Sequence, residues 1–166
     1  MRAKEHSFPV EVELHHGRTV CVGVEGKAEL GVMPPPAFYR DADPAVWSPE
    51  DLLVAAAASC LAVTITGAAE RDGLPIVDLS VDAAGVVSRR EDGRFGFTRI
   101  EQHVRISVPA GEAKHAREVV AGAEASCLVA ASLDCEMQTE VEVLVLGDGH
   151  RTQVQPLVAQ SGHERA

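Results

Sequence analysis

Ser48-Pro-Glu-Asp-Leu-Leu-Val-Ala-Ala-Ala-Ala-Ser-Cys60-Leu-Ala-Val-Thr-Ile-Thr66 is the stretch that decides how this chain folds. Ser48 suits a helix N-cap, Pro49 the first turn, and Glu50 and Asp51 the positive end of the helix dipole. No charge interrupts Leu52 to Ala69, and Asp72-Gly73 supplies a stop just after Arg71. The run is long enough for a membrane span, but its Ala, Thr, Ser and Gly content drives transfer into lipid only weakly. It reads as a helix buried in protein, with small side chains that let another helix come close. Cys60 inside it has two available uses: a small inert hydrophobe, or a sheltered nucleophile for a small oxidant.

Upstream, Pro9 to Leu14 alternates Val-Glu-Val-Glu-Leu, His15-His16-Gly17-Arg18 forms a turn, and Thr19 to Val24 returns as a strand. Lys27 to Val32 adds a third, giving an antiparallel meander. Met33 to Trp47 holds Pro34, Pro35, Pro36 and Pro44, which cannot donate to regular pairing, together with Phe38, Tyr39 and Trp47. A loop this long is either a lid or pocket wall, or a packed connection whose aromatics fill gaps.

Downstream, Val77 to Val87 alternates as a strand, Arg89 to Gly93 is a charged turn, and Phe95 to Val108 returns. A second helix spans about Glu112 to Ala123, with Ala116, Val119, Val120 and Ala123 at helical spacing. Cys127 to Leu133 reads as a short helix and Met137 to Leu146 as the last strand. From Gly147 the chain turns polar and loses periodicity, which predicts a loose tail over 147–166. The length suits one domain, 1–146, and the partly segregated order of strands and helices predicts an α+β fold. A small sheet covers only one side of so apolar a central helix, which hints at a dimer.

The formal charge of −10 opposes binding to nucleic-acid phosphates or anionic lipid, leaving small molecules or protein as the expected partners. The four cysteines, 21, 60, 127 and 135, include no C-x2-C pair, so a structural zinc site is not indicated. No apolar segment resembling a secretion signal opens the chain, and a cytoplasmic location with reduced thiols is the expectation.

Taken together, Ser48-Pro-Glu-Asp-Leu-Leu, Ala-Ala-Ala-Ala-Ser-Cys60-Leu-Ala, Gly73-Leu-Pro, Phe97-Thr-Arg-Ile100 and Ser126-Cys127-Leu-Val-Ala-Ala-Ser-Leu133 resemble the osmotically inducible protein C and organic hydroperoxide resistance family. The resemblance covers roughly residues 10 to 146. It implies antiparallel sheets wrapping central helices in an intertwined homodimer, and a thiol peroxidase that reduces organic hydroperoxides without metal, flavin or other cofactor. By position Cys60 matches the peroxidatic cysteine, Cys127 the resolving one and Glu50 an ordering glutamate. Arg18 matches the active-site arginine, with Arg40 as the fallback. A dithiol, of lipoyl type or carried on a lipoyl protein, is the implied external reductant. Many members carry proline directly after the second cysteine, where this chain has Leu128.

The chemistry sets its own demands. A thiol that cleaves an O–O bond must ionise near neutrality, which needs a cation or a helix N-terminus beside it. Arg18 would supply that charge, held by Glu50 in a bidentate pair. On one straight helix, however, Glu50 and Cys60 would stand about 15 Å apart at ~1.5 Å per residue. A break near Ala55 to Ser59 is therefore expected. The alternative function is a non-catalytic small-ligand-binding protein of the same fold, and the separation of the two sulfurs discriminates between them.

Overall fold

The computed structural model describes residues 4–147 and the backbone of 150–158. Packing groups the chain into two compact units, divided in sequence between Leu53 and Val54.

The first unit carries a three-stranded antiparallel sheet, β1 (Glu11–His16), β2 (Thr19–Gly23) and β3 (Leu30–Val32), in that order. Gly17, at φ +56°, makes the tight turn between His16 and Thr19, a conformation that costs side chains with a Cβ. The third strand is shorter than expected because Lys27 belongs to a turn, its N–H donating to the Val24 carbonyl. The proline-rich segment after it is a closed loop: the Met33 N–H donates to the Trp47 carbonyl and Val32 bridges Trp47. Phe38 and Trp47 are exposed, so they do not fill gaps.

Helix α1 (Pro49–Asp72) starts in the first unit and continues through the second. Its start is a reciprocal cap. The Asp51 N–H donates to Ser48 Oγ at 3.0 Å, while Ser48 N–H and Oγ–H both donate to Asp51 Oδ2 at 2.8 and 2.7 Å. Ser48 is buried, so Ser48→Ala should lower stability by about 1–2 kcal/mol, seen as a lower urea midpoint. At the other end Gly73 adopts φ +72° and the Leu74 N–H reaches back to the Ala69 carbonyl at 2.9 Å. That left-handed stop places the Leu74 side chain in the core. The expected break at Ala55 to Ser59 is absent: α1 is one uninterrupted helix. Four consecutive alanines are the strongest helix formers available, and nothing in that stretch opposes them.

In the second unit a four-stranded sheet runs β4 (Asp78–Arg89), β5 (Phe95–Pro109), β6 (Glu136–Gly147), β7 (His150–Val158). Helix α2 (Ala113–Ser126) and the five-residue α3 (Leu128–Ser132) connect β5 to β6. Two expectations need correction here. The β5–β6 pair is parallel, so this sheet is mixed rather than antiparallel. Parallel neighbours require a crossover, and α2 with α3 supplies it. Within the tail expected to be loose, 150–158 forms β7, antiparallel to β6, while 159–166 lie outside the described residues. Gly147 pairs with His150, and Pro156 is tolerated on an edge strand.

One face of the sheet is the core. Val104, Ile106 and Val108 of β5 and Val141 and Val143 of β6 meet Leu61, Ile65, Ala68 and Ala69 of α1 and Ala116, Val119, Val120 and Ala123 of α2. Burial of Leu61 or Ile65 alone is worth roughly 1.5–3 kcal/mol. The opposite face is polar, with Arg105 paired to Asp82 at 2.7 Å and His103 near Glu142. Both helices on one side of the sheet make the unit α+β. Among the described residues α1 is the one helix long and apolar enough to cross a membrane; here Ala57, Leu61, Ile65, Ala68 and Ala69 are buried within the protein.

Candidate active site

Cys60 and Cys127, 67 positions apart in sequence, come together in the second unit. The placement follows from three local features. Leu61 and Ile65 anchor α1 in the core, which turns Cys60 to a half-buried flank. Helix α2 ends as Cys127 adopts an extended conformation, φ −69° and ψ 111°, while its N–H still donates to the Glu124 carbonyl. The chain then re-enters helix at once, with the Ala131 N–H on the Cys127 carbonyl at 3.0 Å. Cys127 is thereby held 2% exposed at the junction, with its thiol positioned to donate to the Cys60 sulfur.

The two thiols are driven in opposite directions. Burial pushes Cys60 up, but it is outweighed by the Val129 N–H, the Cys127 thiol, the Thr64 hydroxyl and the Leu128 N–H, which together hold it below the ordinary cysteine value. Thr64, one turn along α1, gives its hydrogen to the Cys60 carbonyl at 2.7 Å, so the amides and Cys127 are the steadier donors to sulfur. Cys127 is pushed up by burial first. The Ala130 and Val129 N–H groups oppose that rise, and the Cys60 side chain that accepts its hydrogen reinforces it. Of the two, Cys60 is therefore the more readily ionised and Cys127 the one that better keeps its proton.

The amides of Leu128 and Val129 were not foreseen from sequence, because backbone N–H groups carry no residue code. Their signal was present in Cys127 itself, which stands as the N-cap of a short helix and leaves the first-turn donors without helical acceptors. A proline at 128 would have no N–H to offer. This chain's Leu128 has one, and its side chain is 78% exposed beside the sulfur.

The other expected residues lie in the first unit. Arg18, in the turn after β1, stacks its guanidinium over Tyr39, 4.8 Å from the ring centroid. The Glu50 carboxylate keeps one buried oxygen, Oε2, without a hydrogen-bond partner. Arg18 and Glu50 are therefore not brought together as the expected ion pair, and on the unbroken α1 ten residues, about 15 Å of rise, separate Glu50 from Cys60 of the same chain. Arg40 is exposed. Cys21 is half-buried on β2, and Cys135, after α3, is pushed up by burial, with the Arg90 charge opposing.

A family model described as OsmC-like protein matches residues 42–142, which span α1, β4, β5, α2, α3 and the first part of β6. The chain belongs to the OsmC-like family. The uncharacterized protein YmaD of Bacillus subtilis is 29% identical over 112 residues, 61% of this chain and 71% of that protein. Among solved structures, an OsmC-like protein of unknown function from Vibrio cholerae superposes with a TM-score of 0.76 at 16% identity, over 82% of this chain and 99% of that one. An organic hydroperoxide resistance protein from Elizabethkingia anophelis gives 0.68 at 19%, over 85% and 97%. At such identities these structures establish the shared fold. The family therefore includes organic hydroperoxide resistance proteins beside members of unknown function.

Proposed function

We propose that this protein is a cysteine peroxidase that reduces organic hydroperoxides. The observation that carries the reading is the adjoining pair of thiols with opposed proton affinities, Cys60 shifted below the ordinary cysteine value and Cys127 above it. A non-catalytic ligand binder has no need of such a pair.

The Cys60 thiolate attacks the terminal oxygen of the hydroperoxide. A sulfur–oxygen bond forms, the O–O bond breaks, and the departing alkoxide takes a proton to leave as the alcohol, with Cys60 as sulfenic acid. Cys127 then attacks that sulfur, forming the Cys60–Cys127 disulfide and releasing the oxygen as water. A dithiol reductant restores both thiols through two exchanges, its own sulfurs ending as a disulfide.

Arg18 and Glu50 enter this reading as the arginine and glutamate that the family resemblance assigns to the thiolate's surroundings, though they do not pair with each other within the chain. The unpartnered Glu50 oxygen supports a cation partner for it. Exposed Val63, one turn from Cys60, and the exposed stripe of Phe8, Val10, Val12 and Leu14 along and before β1 support burial by another copy.

Reaction of the reduced protein with an alkyl hydroperoxide, followed by peptide mass spectrometry, tests the proposal. The expected product is a Cys60–Cys127 linked peptide formed as the peroxide disappears. Both thiols unmodified in the presence of persisting peroxide would overturn it.

A further inference from the structure

We propose that Arg90 is the positioning residue of the resolving segment: its guanidinium fixes the exit of α3, and through it the place of the Leu128 and Val129 amides and the Cys127 thiol against Cys60. The inference deepens the peroxidase reading and rests on it for its functional meaning.

Helix α3 buries none of its own residues. It is a short helix with Leu128 exposed and only Val129 and Ala130 partly buried, so packing holds it weakly. Its entry is fixed by buried Cys127. Its exit is fixed by Arg90, whose Nη2 donates to the Asp134 carbonyl while Nη1 lies 3.7 Å from the Asp134 carboxylate. The same guanidinium is locked to the sheet, with Nη2 at 2.8 Å and Nε at 3.3 Å from the Phe97 carbonyl. Its backbone sits in the β4–β5 turn, closed by the Arg90 N–H on Arg94 O at 2.8 Å. One carbonyl of β5 and one in the bend before β6 are thus joined by one planar fork, a geometry that lysine cannot reproduce. Gly96 leaves the fork room: a Cβ there would stand 3.0 Å from Arg90 Nε, so alanine would press the guanidinium aside by a few tenths of an ångström. The titratable groups around Arg90 are Asp134, Asp92 and Cys135; the one recorded against Cys60 is Cys127.

A loosened α3 would carry its amides away from the Cys60 sulfur, so the reactive ionised form would require higher pH. The test is the pH profile of iodoacetamide alkylation at Cys60, followed by peptide mass spectrometry on the full-length reduced chain, for Arg90→Met, Arg90→Lys and Gly96→Ala. Arg94→Ala, an exposed neighbour paired only within its own turn, serves as the control. The expected result is a profile displaced upward in Arg90→Met and Gly96→Ala, with alkylation about three- to tenfold slower on the acid limb, Arg90→Lys between, and Arg94→Ala unchanged. A profile coincident with wild type, or a uniform slowing at every pH, would overturn the proposal. Should Arg90→Met fail to fold, Gly96→Ala and Arg90→Lys decide by the same criterion. Alkylation needs no peroxide, so a displaced profile in a protein that consumes none would sink the peroxidase reading and leave the role of Arg90 standing.

Discussion

Cys60→Ser is expected to reduce consumption of an alkyl hydroperoxide to that of buffer, whereas Cys127→Ser is expected to permit a single turnover and then stall. The asymmetry follows from the proton arrangement. Only a thiolate attacks the O–O bond at a useful rate, and serine, with a far higher hydroxyl pKa, offers no equivalent anion. Cys127→Ser leaves the Val129 and Leu128 amides facing Cys60, so the first attack survives and the sulfenic acid accumulates without a partner. Peroxide loss limited to one equivalent per chain, with dimedone labelling of Cys60, is the readout. Full turnover by Cys60→Ser would remove Cys60 from the mechanism altogether.

The pH dependence carries the same sign. Because Cys60 is held below the ordinary cysteine value, its reactivity should rise and level off at lower pH than that of an ordinary thiol. Cys127, pushed up chiefly by burial, should label only at higher pH. Peptide-resolved alkylation across pH checks both. A reversal of the order, with Cys127 labelled first, would exchange the two roles.

Much of this arrangement was legible in the residues, and the failures share a cause. The ends of α1 could be read because Ser48-Pro49 and Asp72-Gly73 act locally, through one cap and one left-handed glycine. The core face of α2 was legible because Ala116, Val119, Val120 and Ala123 repeat at helical spacing. Alternation along β5 and β6 revealed which side chains face inward but not the mutual direction of the strands, which depends on the crossover. Strand β7 escaped because polar Arg151, Gln153 and Gln155 dilute its pattern. The expected break in α1 came from a mechanistic need to bring Glu50 to Cys60, not from any residue, and the polyalanine segment overruled it. The pairing of Cys60 with Cys127 came from family resemblance. The donors that favour its thiolate are main-chain groups, and Arg90 works through carbonyls, so neither leaves a mark in the pattern of side-chain types.

Gly85→Val is expected to be among the most destabilising single substitutions in the chain, for reasons of space alone. Gly85 lies on β4 opposite Ile100, with an ordinary strand conformation rather than a left-handed one, so backbone freedom is not what it supplies. A Cβ there would fall 2.4 Å from Phe97 Cε1 and 2.6 Å from Val54 Cγ2. The aromatic ring and the α1 side chain both close over the bare backbone, and valine at 54 has little rotamer freedom with which to retreat. Even Gly85→Ala should cost about 1–3 kcal/mol in overpacking, and Gly85→Val more. The sign separates this from glycine removal in general. Gly122, exposed in α2 with nothing within 4 Å of an added Cβ, should gain up to about 1 kcal/mol on replacement by alanine. Urea midpoints should therefore move in opposite directions for the two Gly→Ala variants. If the clash is the cause, Val54→Ala combined with Phe97→Leu should recover part of the loss in Gly85→Ala, a coupling that a double-mutant cycle measures directly. Strict additivity would mean that the contact over Gly85 is not what fixes α1 to the sheet.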